Sequence, residues 1–372
     1  MGAFSADRQF VVERSSKPRH DYWLLLSAFI LAAAGLLCMH SIDRSLGTNH
    51  AIKQSIFFAL GLGVFLVANK IKLTVWKNMF WPLYIATNVL LFLTLLIGKG
   101  PNDVKRWIAI GSFQFQSSEV AKILIAVCFG VFYAKREEII RQPKVFAGAL
   151  LVALPPLLLI FKQPHLGGAL SIIVMTIAAA LYAGVPGKFF PIVLAGLILL
   201  GGAVWVMPNV LSPYMRGRVN SLINKFVNDD ADVRGSGYQQ HQAMIAIGSG
   251  GPLGAGLFNG DQKAADIIPE QHSDFIFSVV GEEGGFFGSV LLLICFGFFF
   301  FRAWLVGYRA KTTMGRVVAG SLFAVLGFHF IVNMAMVLQI GPVVGLWLPF
   351  MSYGGTALWM CMASVGILDQ CE

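Results

Sequence analysis

Residues 284–301 read GGFFGSVLLLICFGFFFF, a run of apolar and small residues that contains no charged side chain. A helix needs roughly 20 such residues to cross the hydrocarbon layer of a membrane. Helix is the conformation expected there, because lipid offers no partner for an unpaired backbone N–H or C=O group. The run therefore predicts a membrane-spanning helix, which we place at about 275–301.

Blocks of the same kind recur along the whole chain, and they lack the alternation of a membrane β-strand. The 372 residues are 56% hydrophobic and only 13% charged, which is too apolar for soluble domains. We therefore predict an all-α integral membrane protein with about ten transmembrane helices. Besides 275–301, the predicted spans are 22–41, 51–69, 76–98, 118–134, 144–161, 167–184, 189–207, 317–338 and 347–368.

The distribution of basic residues predicts the orientation of these spans. Ten spans place both termini on one side, and that side carries the larger share of Lys and Arg, which predicts that it is cytoplasmic. Residues 1–21 then form a cytoplasmic tail and residues 22–372 a polytopic membrane domain. One large exterior loop, at about 208–274, connects the seventh and eighth spans.

The net charge of +9 fits this orientation signal and an attraction for anionic membrane lipids. Nucleic acid is not an expected partner, because the chain lacks a basic soluble face. The five cysteines show no paired spacing, so neither a disulfide framework nor a zinc site is indicated. In the exterior loop, the run Gly248-Ser249-Gly250-Gly251 lacks the Lys and Ser/Thr of a phosphate-binding loop. Close backbone approach to a ligand and re-entrant packing on the membrane surface both fit its glycines.

Ionisable side chains within the spans are costly in lipid and are candidate functional residues. Glu119 and Lys122 lie three residues apart and share one helix face, so they can pair, either as a structural ion pair or as part of a site. Glu282 and Glu283 lie well inside the eighth span, so at least one of them must face the bundle interior. A structural and a catalytic role are both open for these two. His329 and Asn333 are expected to form hydrogen bonds between helices.

Polar side chains are densest where the long loop returns to the membrane. Glu270, His272 and Asp274 provide two carboxylates and an imidazole, which suit acid–base chemistry or cation binding. Alternatively, Ser273 or Asp274 caps the eighth helix. Lys105 and Arg106 are predicted on the same side, where cationic groups suit the phosphate of a lipid head group.

A series of motifs, taken together, resembles the SEDS family of shape, elongation, division and sporulation proteins, and within it the RodA-like branch. They run in the family's order through most of the chain. The matching residues are Lys105-Arg106-Trp107, Phe115 to Lys122, Gln163 to Gly167, Gly237 to Gln242, Ile245 to Gly251, Pro269 to Phe277 with Gly281-Glu282-Glu283, and Ser352-Tyr353-Gly354-Gly355.

Two positions depart from the family's pattern. Ser117 replaces a proline at a helix start, which is a minor change. His165 replaces the aspartate of a Gln-Pro-Asp-Leu-Gly motif, which exchanges a permanent anion for a group that titrates near neutral pH. We expect His165 to make a pH-dependent contribution, unless it is only a surface loop residue.

The resemblance implies a peptidoglycan glycosyltransferase that polymerises lipid II into glycan strands at the outer face of the bacterial cytoplasmic membrane, for cell-wall elongation and cell shape. It also implies a class B penicillin-binding protein as partner, lipid II and the nascent glycan strand as ligands, and a divalent cation (Mg²⁺ or Mn²⁺) without an organic cofactor. The ligands of that metal are not assigned.

Within this reaction, an exterior carboxylate is needed as general base and positive charge is needed beside the leaving pyrophosphate. We predict Asp274 as the base and Arg106, with Lys105 and Lys122 as further candidates, on the phosphate side. The complete predicted substrate-binding set is Arg106, Lys105, Glu119, Lys122, Gln163, Glu270, His272, Ser352 and Tyr353.

Two other classes of function remain open from the residues. A polytopic protein with polar groups between helices could flip lipid II across the membrane. It could also be a noncatalytic scaffold for a penicillin-binding protein. The sequence shows no clear inverted repeat and its polar residues gather at the exterior end, which favours the glycosyltransferase over the flippase.

Overall fold

The computed structural model describes residues 20–100, 104–111, 113–191, 195–196 and 236–371, and helices dominate these ranges. Eight of the described helices are long and apolar enough to span a membrane. The helices are α1 (Tyr22–Leu46), α2 (His50–Lys70), α3 (Leu73–Trp76), α4 (Phe80–Ile97), α5 (Ser117–Ala134), α6 (Pro143–Lys162), α7 (Leu166–Ala183), α8 (Ser236–Ser249), α9 (Asp261–Ala264), α10 (Ile276–Arg309), α11 (Thr313–Val337) and α12 (Gly355–Leu368).

The all-α membrane architecture predicted from the sequence is confirmed. Eight predicted spans coincide with the long helices α1, α2, α4, α5, α6, α7, α10 and α11. Most of the predicted seventh span, 189–207, lies outside the described residues, as does the first part of the exterior loop. The third span was predicted to start too early, because residues 73–76 form the separate short helix α3 and the long helix begins at Phe80.

The tenth span was also predicted to start too early. Its helix, α12, begins at Gly355, and residues 347–354 form a non-helical segment. Phe350 has a φ of +66° and Gly354 a φ of +150°, values that a right-handed helix does not contain. This segment carries most of the Ser352-Tyr353-Gly354-Gly355 motif, so the late start of the helix leaves backbone groups of that motif available for other contacts.

Helix α10 is longer than predicted and is broken near its first third. Gly285 has φ +60° and ψ −158°, a conformation essentially reserved for glycine, and it divides the helix into two pieces. The loop before α10 packs against this break: the N–H groups of Phe286 and Phe287 donate to the carbonyls of Gly251 and Pro252, at 2.8 and 3.2 Å. The loop thus supplies the acceptors that the broken helix no longer provides.

Three helices form the centre of the bundle. Helix α11 packs against both α5 and α7, and α5 is the most buried of the long helices. The close approach of α11 to α7 depends on a small residue, since a Cβ on Gly320 in α11 would collide with the ring of Tyr182 in α7. Helices α2 and α4 lie at the periphery and expose most of their apolar surface, as expected for helices that face lipid.

The two ends of the bundle differ in their polar contacts. At the end that is predicted to be cytoplasmic, here called the Asp21 end, the carboxylate of Asp21 accepts hydrogen bonds from Arg302 at 2.6 to 3.2 Å. Asp369 accepts there from the backbone N–H of Asp21 at 2.9 Å and from Asn69 Nδ2 at 2.5 Å. The opposite, predicted exterior end is here called the His272 end, and it carries all the predicted site residues.

A small antiparallel hairpin leads into the bundle at the His272 end. Strand β1 (Trp107–Ile110) pairs with β2 (Phe113–Gln116), and Gly111 at the turn has a φ of +61°. Because β2 runs directly into α5, the hairpin fixes where that central helix begins. Phe113 packs between the rings of Phe57 and Trp359, at centroid distances of 5.5 and 5.1 Å.

Candidate active site

The segment that carries Asp274 is held by hydrogen bonds to three successive carbonyl groups. The His272 carbonyl accepts from the N–H of Tyr353 at 2.9 Å, and the Ser273 carbonyl accepts from Ser352 Oγ at 2.6 Å. The Asp274 carbonyl accepts from Asn333 Nδ2 at 2.8 Å. The backbone on both sides of the half-buried Asp274 side chain is therefore fixed by α11 and by the loop before α12.

A tight turn at Glu270 leads into this segment, and the helix starts only after the segment has ended. Glu270 adopts a φ of +57°, and its carbonyl accepts from the N–H groups of Ser273 and Asp274 at 3.0 and 3.1 Å. Helix α10 begins only at Ile276, and its N-cap residue is Phe275, without a side-chain cap. The alternative that Ser273 or Asp274 is the helix cap is therefore wrong.

The Ser352 to Gly355 motif is built for close contacts. Ser352 Oγ donates to the Ser273 carbonyl and accepts from the N–H of Leu348 at 2.7 Å, so its hydroxyl links two loops. Gly354 needs the backbone freedom of glycine at φ +150°. A Cβ on Gly355 would lie 2.7 Å from the ring of Phe113. Sequence reasoning predicted Ser352 and Tyr353 as site residues, and both contact the Asp274 segment.

The imidazole of His272 lies in a small aromatic cluster. Its ring stacks on that of His50 with centroids 4.4 Å apart, and the edge of Tyr353 approaches at 5.4 Å. Burial lowers the pKa of His272 below its ordinary value, and the positive charge available to His50 acts in the same direction. The carboxylates of Glu270, Asp266 and Asp43 oppose this shift but are outweighed by burial. His272 is thus favoured as a neutral imidazole.

Arg106 lies at the same end of the bundle and is buried, whereas Lys105 beside it is exposed. Its guanidinium Nε donates to the carbonyl of Gln163 at 3.3 Å and its Nη2 to the carbonyl of Pro164. Gln163 in turn donates through Nε2 to the Leu91 carbonyl at 2.9 Å. Arg106 therefore fixes the turn between α6 and α7, and two of the predicted substrate-binding residues are brought into contact.

His165 follows directly in this turn and is only 2% exposed, so the interpretation as a surface loop residue is wrong. Its Nδ1 lies 3.4 Å from Ser118 Oγ at the start of α5. A Cβ on Gly168 would meet the imidazole ring at 2.5 Å, so the ring occupies the space that glycine leaves open. The histidine that replaces the family's aspartate thus lies inside the bundle.

Glu119 and Lys122 form the predicted ion pair, fully buried between α5 and α11. Lys122 Nζ donates to Oε1 and Oε2 of Glu119 at 2.8 and 2.9 Å and lies 2.9 Å from His329 Nε2. These contacts can use all three ammonium hydrogens. Lys122 would have to exchange one of them to bind a substrate phosphate. The predicted hydrogen bonding between helices is confirmed for His329, which contacts Lys122 of α5. Asn333, one turn further along α11, instead binds the carbonyls of two loop residues, Asp274 and Leu346.

Glu282 and Glu283 are both buried, as predicted for at least one of them, and they bind the exterior loop. Glu282 accepts from the backbone N–H groups of Gln262 and Lys263 at 2.6 and 3.1 Å. The fully buried Lys263 donates to Glu283 Oε1, and its Nζ lies 2.5 Å from Ser41 Oγ in α1. This network fastens α9 to α1 and α10, which supports a structural role for the two glutamates.

Glycines of the exterior loop also allow the loop to pack against α10. A Cβ on Gly250 or Gly254 would collide with carbonyl oxygens of the first piece of α10. The N–H of Ala255 donates to the Glu282 carbonyl at 2.9 Å. The glycines therefore allow a close approach of the loop backbone to α10.

A divalent cation remains a prediction from the family resemblance. Within the described ranges, no group of three or more His, Cys, Asp or Glu side chains is arranged to hold a metal ion. The described residues thus do not provide a complete protein site of this kind.

Several residues that support the site were not found from the sequence. Gln54, His50 and Asp43 lie at the junction of α1 and α2, and Lys263 lies in the exterior loop. Gln54 is a polar residue inside a predicted span, a signal that could have singled it out. Lys263 lies in the exterior loop, where a lysine gives no such signal. Their partners, however, are distant in sequence.

These features define a polytopic membrane protein whose helix bundle holds a carboxylate, a buried arginine and a buried ion pair near one end. The chain belongs to the FtsW, RodA and SpoVE family of cell cycle proteins, whose sequence profile matches residues 21–372.

Named relatives and solved structures agree with this membership. The chain is 33% identical to the probable peptidoglycan glycosyltransferase FtsW of Coxiella burnetii, covering 94% of this chain and 95% of the relative. It is 32% identical to the peptidoglycan glycosyltransferase MrdB of Escherichia coli K12, covering 93% and 89%. Its structure resembles a chain from a peptidoglycan synthase complex that coordinates polymerization and crosslinking (TM-score 0.80, 28% identity, 94% and 97% covered) and the rod shape determining protein RodA of Thermus thermophilus (0.68, 26%, 94% and 96%).

Proposed function

We propose that this protein is a peptidoglycan glycosyltransferase of the bacterial inner membrane, that it polymerises lipid II into glycan strands, and that Asp274 is its general base. Family membership and the names of the relatives support the enzyme class. The observation that supports the site is the fixed Asp274 segment at the end of the bundle, where three successive carbonyls are bound.

In this reaction a hydroxyl oxygen of the acceptor sugar attacks the anomeric carbon of the donor sugar. The new glycosidic C–O bond forms as the bond between that carbon and the lipid pyrophosphate oxygen breaks, with the electron pair leaving on the pyrophosphate. The hydroxyl proton passes to the Asp274 carboxylate. A base held rigidly within about 3 Å of that hydroxyl contributes roughly 100- to 10,000-fold in rate.

Positive charge must stabilise the leaving pyrophosphate, and we propose Arg106 for this role. It is buried beside the turn at Gln163, and the exposed Lys105 next to it adds charge at the same surface. A guanidinium in low-dielectric surroundings interacts strongly with phosphate oxygens. The lipid tail of the substrate would remain in the bilayer while the sugars reach the His272 end.

We further propose that the chain works with a class B penicillin-binding protein that crosslinks the new strands. The resemblance to a chain of a synthase complex that coordinates polymerization and crosslinking supports this partnership. Elongation and cell shape are the processes proposed for it, because one structural neighbour is a rod shape determining protein.

The decisive experiment measures glycan strands made from labelled lipid II by purified protein, with and without a class B penicillin-binding protein. Asp274→Asn should reduce synthesis by at least about 100-fold, because an amide cannot take the proton, while the melting temperature stays near that of wild type. The matched control is Asp261→Asn, an exposed aspartate in the same loop, which should keep normal activity.

Each alternative function gives a different result in this experiment. A flippase or a noncatalytic scaffold would make no glycan strands even as the wild-type protein. An Asp274→Asn variant that makes long strands at the normal rate would remove Asp274 from the catalytic role and leave the enzyme class intact.

A further inference from the structure

The loop that clamps the Asp274 segment is itself held by a buried glutamine in the first turns of α2. Gln54 is 2% exposed, and both ends of its side-chain amide bind this loop. Its Nε2 donates to the Ser352 carbonyl at 3.1 Å, and its Oε1 accepts from the N–H of Gly354 at 3.1 Å. One side chain thus brackets Tyr353, whose own N–H binds the His272 carbonyl.

One turn earlier in α2, His50 contacts the same region from the side. Its ring stacks on His272 and meets Tyr353 at a centroid distance of 5.0 Å. Asp43 fixes the start of α2, since its carboxylate accepts from the N–H groups of His50 and Ala51 at 2.9 and 2.6 Å. Gln54 and His50 therefore extend from a helix start that is anchored to α1.

We propose that Gln54, supported by His50, is a positioning residue for glycosyl transfer, and that it acts through residues 352–354 to set the place of Asp274. This inference rests on the proposed function. A general base must lie within about 2.6 to 3.2 Å of its proton donor, and a displacement of about 1 Å can cost roughly 100-fold in rate. Loss of the two hydrogen bonds of Gln54 would free the loop that binds the carbonyls of His272 and Ser273.

A merely structural role for Gln54 makes a different prediction. Helices α2 and α12 pack along each other, and Trp359 Nε1 also donates to the Phe57 carbonyl between them at 2.9 Å. If Gln54 only stabilised this packing, its replacement would lower the fraction of folded protein but leave kcat of the folded protein unchanged. The kcat of the folded protein therefore separates the two roles.

The test compares Gln54→Met with wild type in lipid II polymerisation with the penicillin-binding partner present. Methionine keeps the length of the side chain and fills the space, but it cannot bracket the Ser352 carbonyl and the Gly354 N–H. We expect kcat per folded protein to fall at least about 10-fold, and by a larger factor than any rise in KM, because the misplaced base acts only in the transition state.

Asn69→Ala is the matched control, since Asn69 lies at the other end of the same helix. Its Nδ2 donates to Asp369 Oδ2 at 2.5 Å, so this variant also loses a polar contact between α2 and the end of α12. It should lower the melting temperature without lowering kcat. An equal kcat loss in both variants would show a general effect of packing and would overturn the inference.

A second variant covers the case in which Gln54→Met does not fold. His50→Leu removes a partly exposed ring and should also lower kcat, again by a larger factor than any rise in KM. Normal kcat in His50→Leu, or in a folded Gln54→Met protein, would overturn the inference. A wild-type protein that makes no glycan would instead overturn the proposed function, so the two failures can be told apart.

Discussion

The rings of His50 and His272 stack face to face, with centroids 4.4 Å apart and planes inclined by 24°. A positive charge near the His272 ring lowers its pKa further than burial alone, because like charges at this distance repel. His50 is held by Asp43, and His272 belongs to the segment of Asp274. Acidification should therefore act on the junction between α2 and the candidate active site.

The lowered pKa of His272 predicts how stability depends on pH. Because the folded protein binds this proton less well than the unfolded chain, the contribution of neutral His272 is complete above the ordinary pKa of about 6.5. It is lost as the pH falls from there through the lower folded value. We expect the melting temperature to drop between about pH 7 and pH 5, and to drop less in His272→Phe.

The control for this measurement is His241→Asn, which changes an exposed histidine outside the aromatic cluster. It should leave the pH dependence of the melting temperature as in wild type. Equal slopes in wild type and His272→Phe would show that His272 does not titrate in this range.

Arg106→Ala should weaken use of the pyrophosphate substrate while the protein still folds in detergent. The structure adds a second expected effect, because the guanidinium also binds the carbonyls of Gln163 and Pro164. A modest loss in melting temperature should therefore accompany a fall in kcat/KM for lipid II of at least about 10-fold, the factor that corresponds to roughly 1.4 kcal/mol.

Lys105→Ala gives the comparison for Arg106→Ala, since Lys105 is adjacent but exposed. Screening by solvent and salt should limit its effect to a small, salt-dependent change in KM. Unchanged glycan synthesis in Arg106→Ala would remove this residue from the site.

His165→Asp should alter the pH profile of polymerisation. Aspartate stays ionised between about pH 5 and 8, whereas imidazole changes charge there. His165 is buried beside Ser118 and close to the Arg106 turn, so a change in its charge should be felt at the site. The rate should vary less with pH in the variant. An identical profile in wild type and variant would make this position peripheral.

Hydropathy and short spacings predicted the parts of this molecule that depend on neighbours in sequence. The run at 284–301 lies within the observed α10, and the three-residue spacing of Glu119 and Lys122 predicted their ion pair. Such features follow from helix geometry alone. The boundaries at Phe80 and Gly355 were missed because backbone breaks inside apolar segments do not change the mean hydropathy.

Contacts between distant segments were not predictable in this way. Gln54 and Ser352 are separated by 298 residues, and Lys263 meets Glu283 across a separation of 20 residues that includes a loop. Neither pairing leaves a periodic signal in the chain. The candidate site was found from the residue types of a loop, whereas the groups that hold it in place required the packed structure.

Removing both charges of the Glu119–Lys122 pair should show whether it is only a structural ion pair or also part of the substrate site. The pair is fully buried, so Lys122→Met alone leaves an uncompensated carboxylate and should cost roughly 3 to 5 kcal/mol of stability. The double variant Glu119→Gln with Lys122→Met removes both charges, and its melting temperature should recover most of that loss.

The rate of glycan synthesis by the double variant then decides which role the pair has. If the pair only locks α5 against α11, activity should recover together with stability. If Lys122 contributes charge to the pyrophosphate, as we expect, the double variant should be stable yet remain at least about 10-fold slower than wild type. Full activity in a stable double variant would exclude Lys122 and Glu119 from substrate binding.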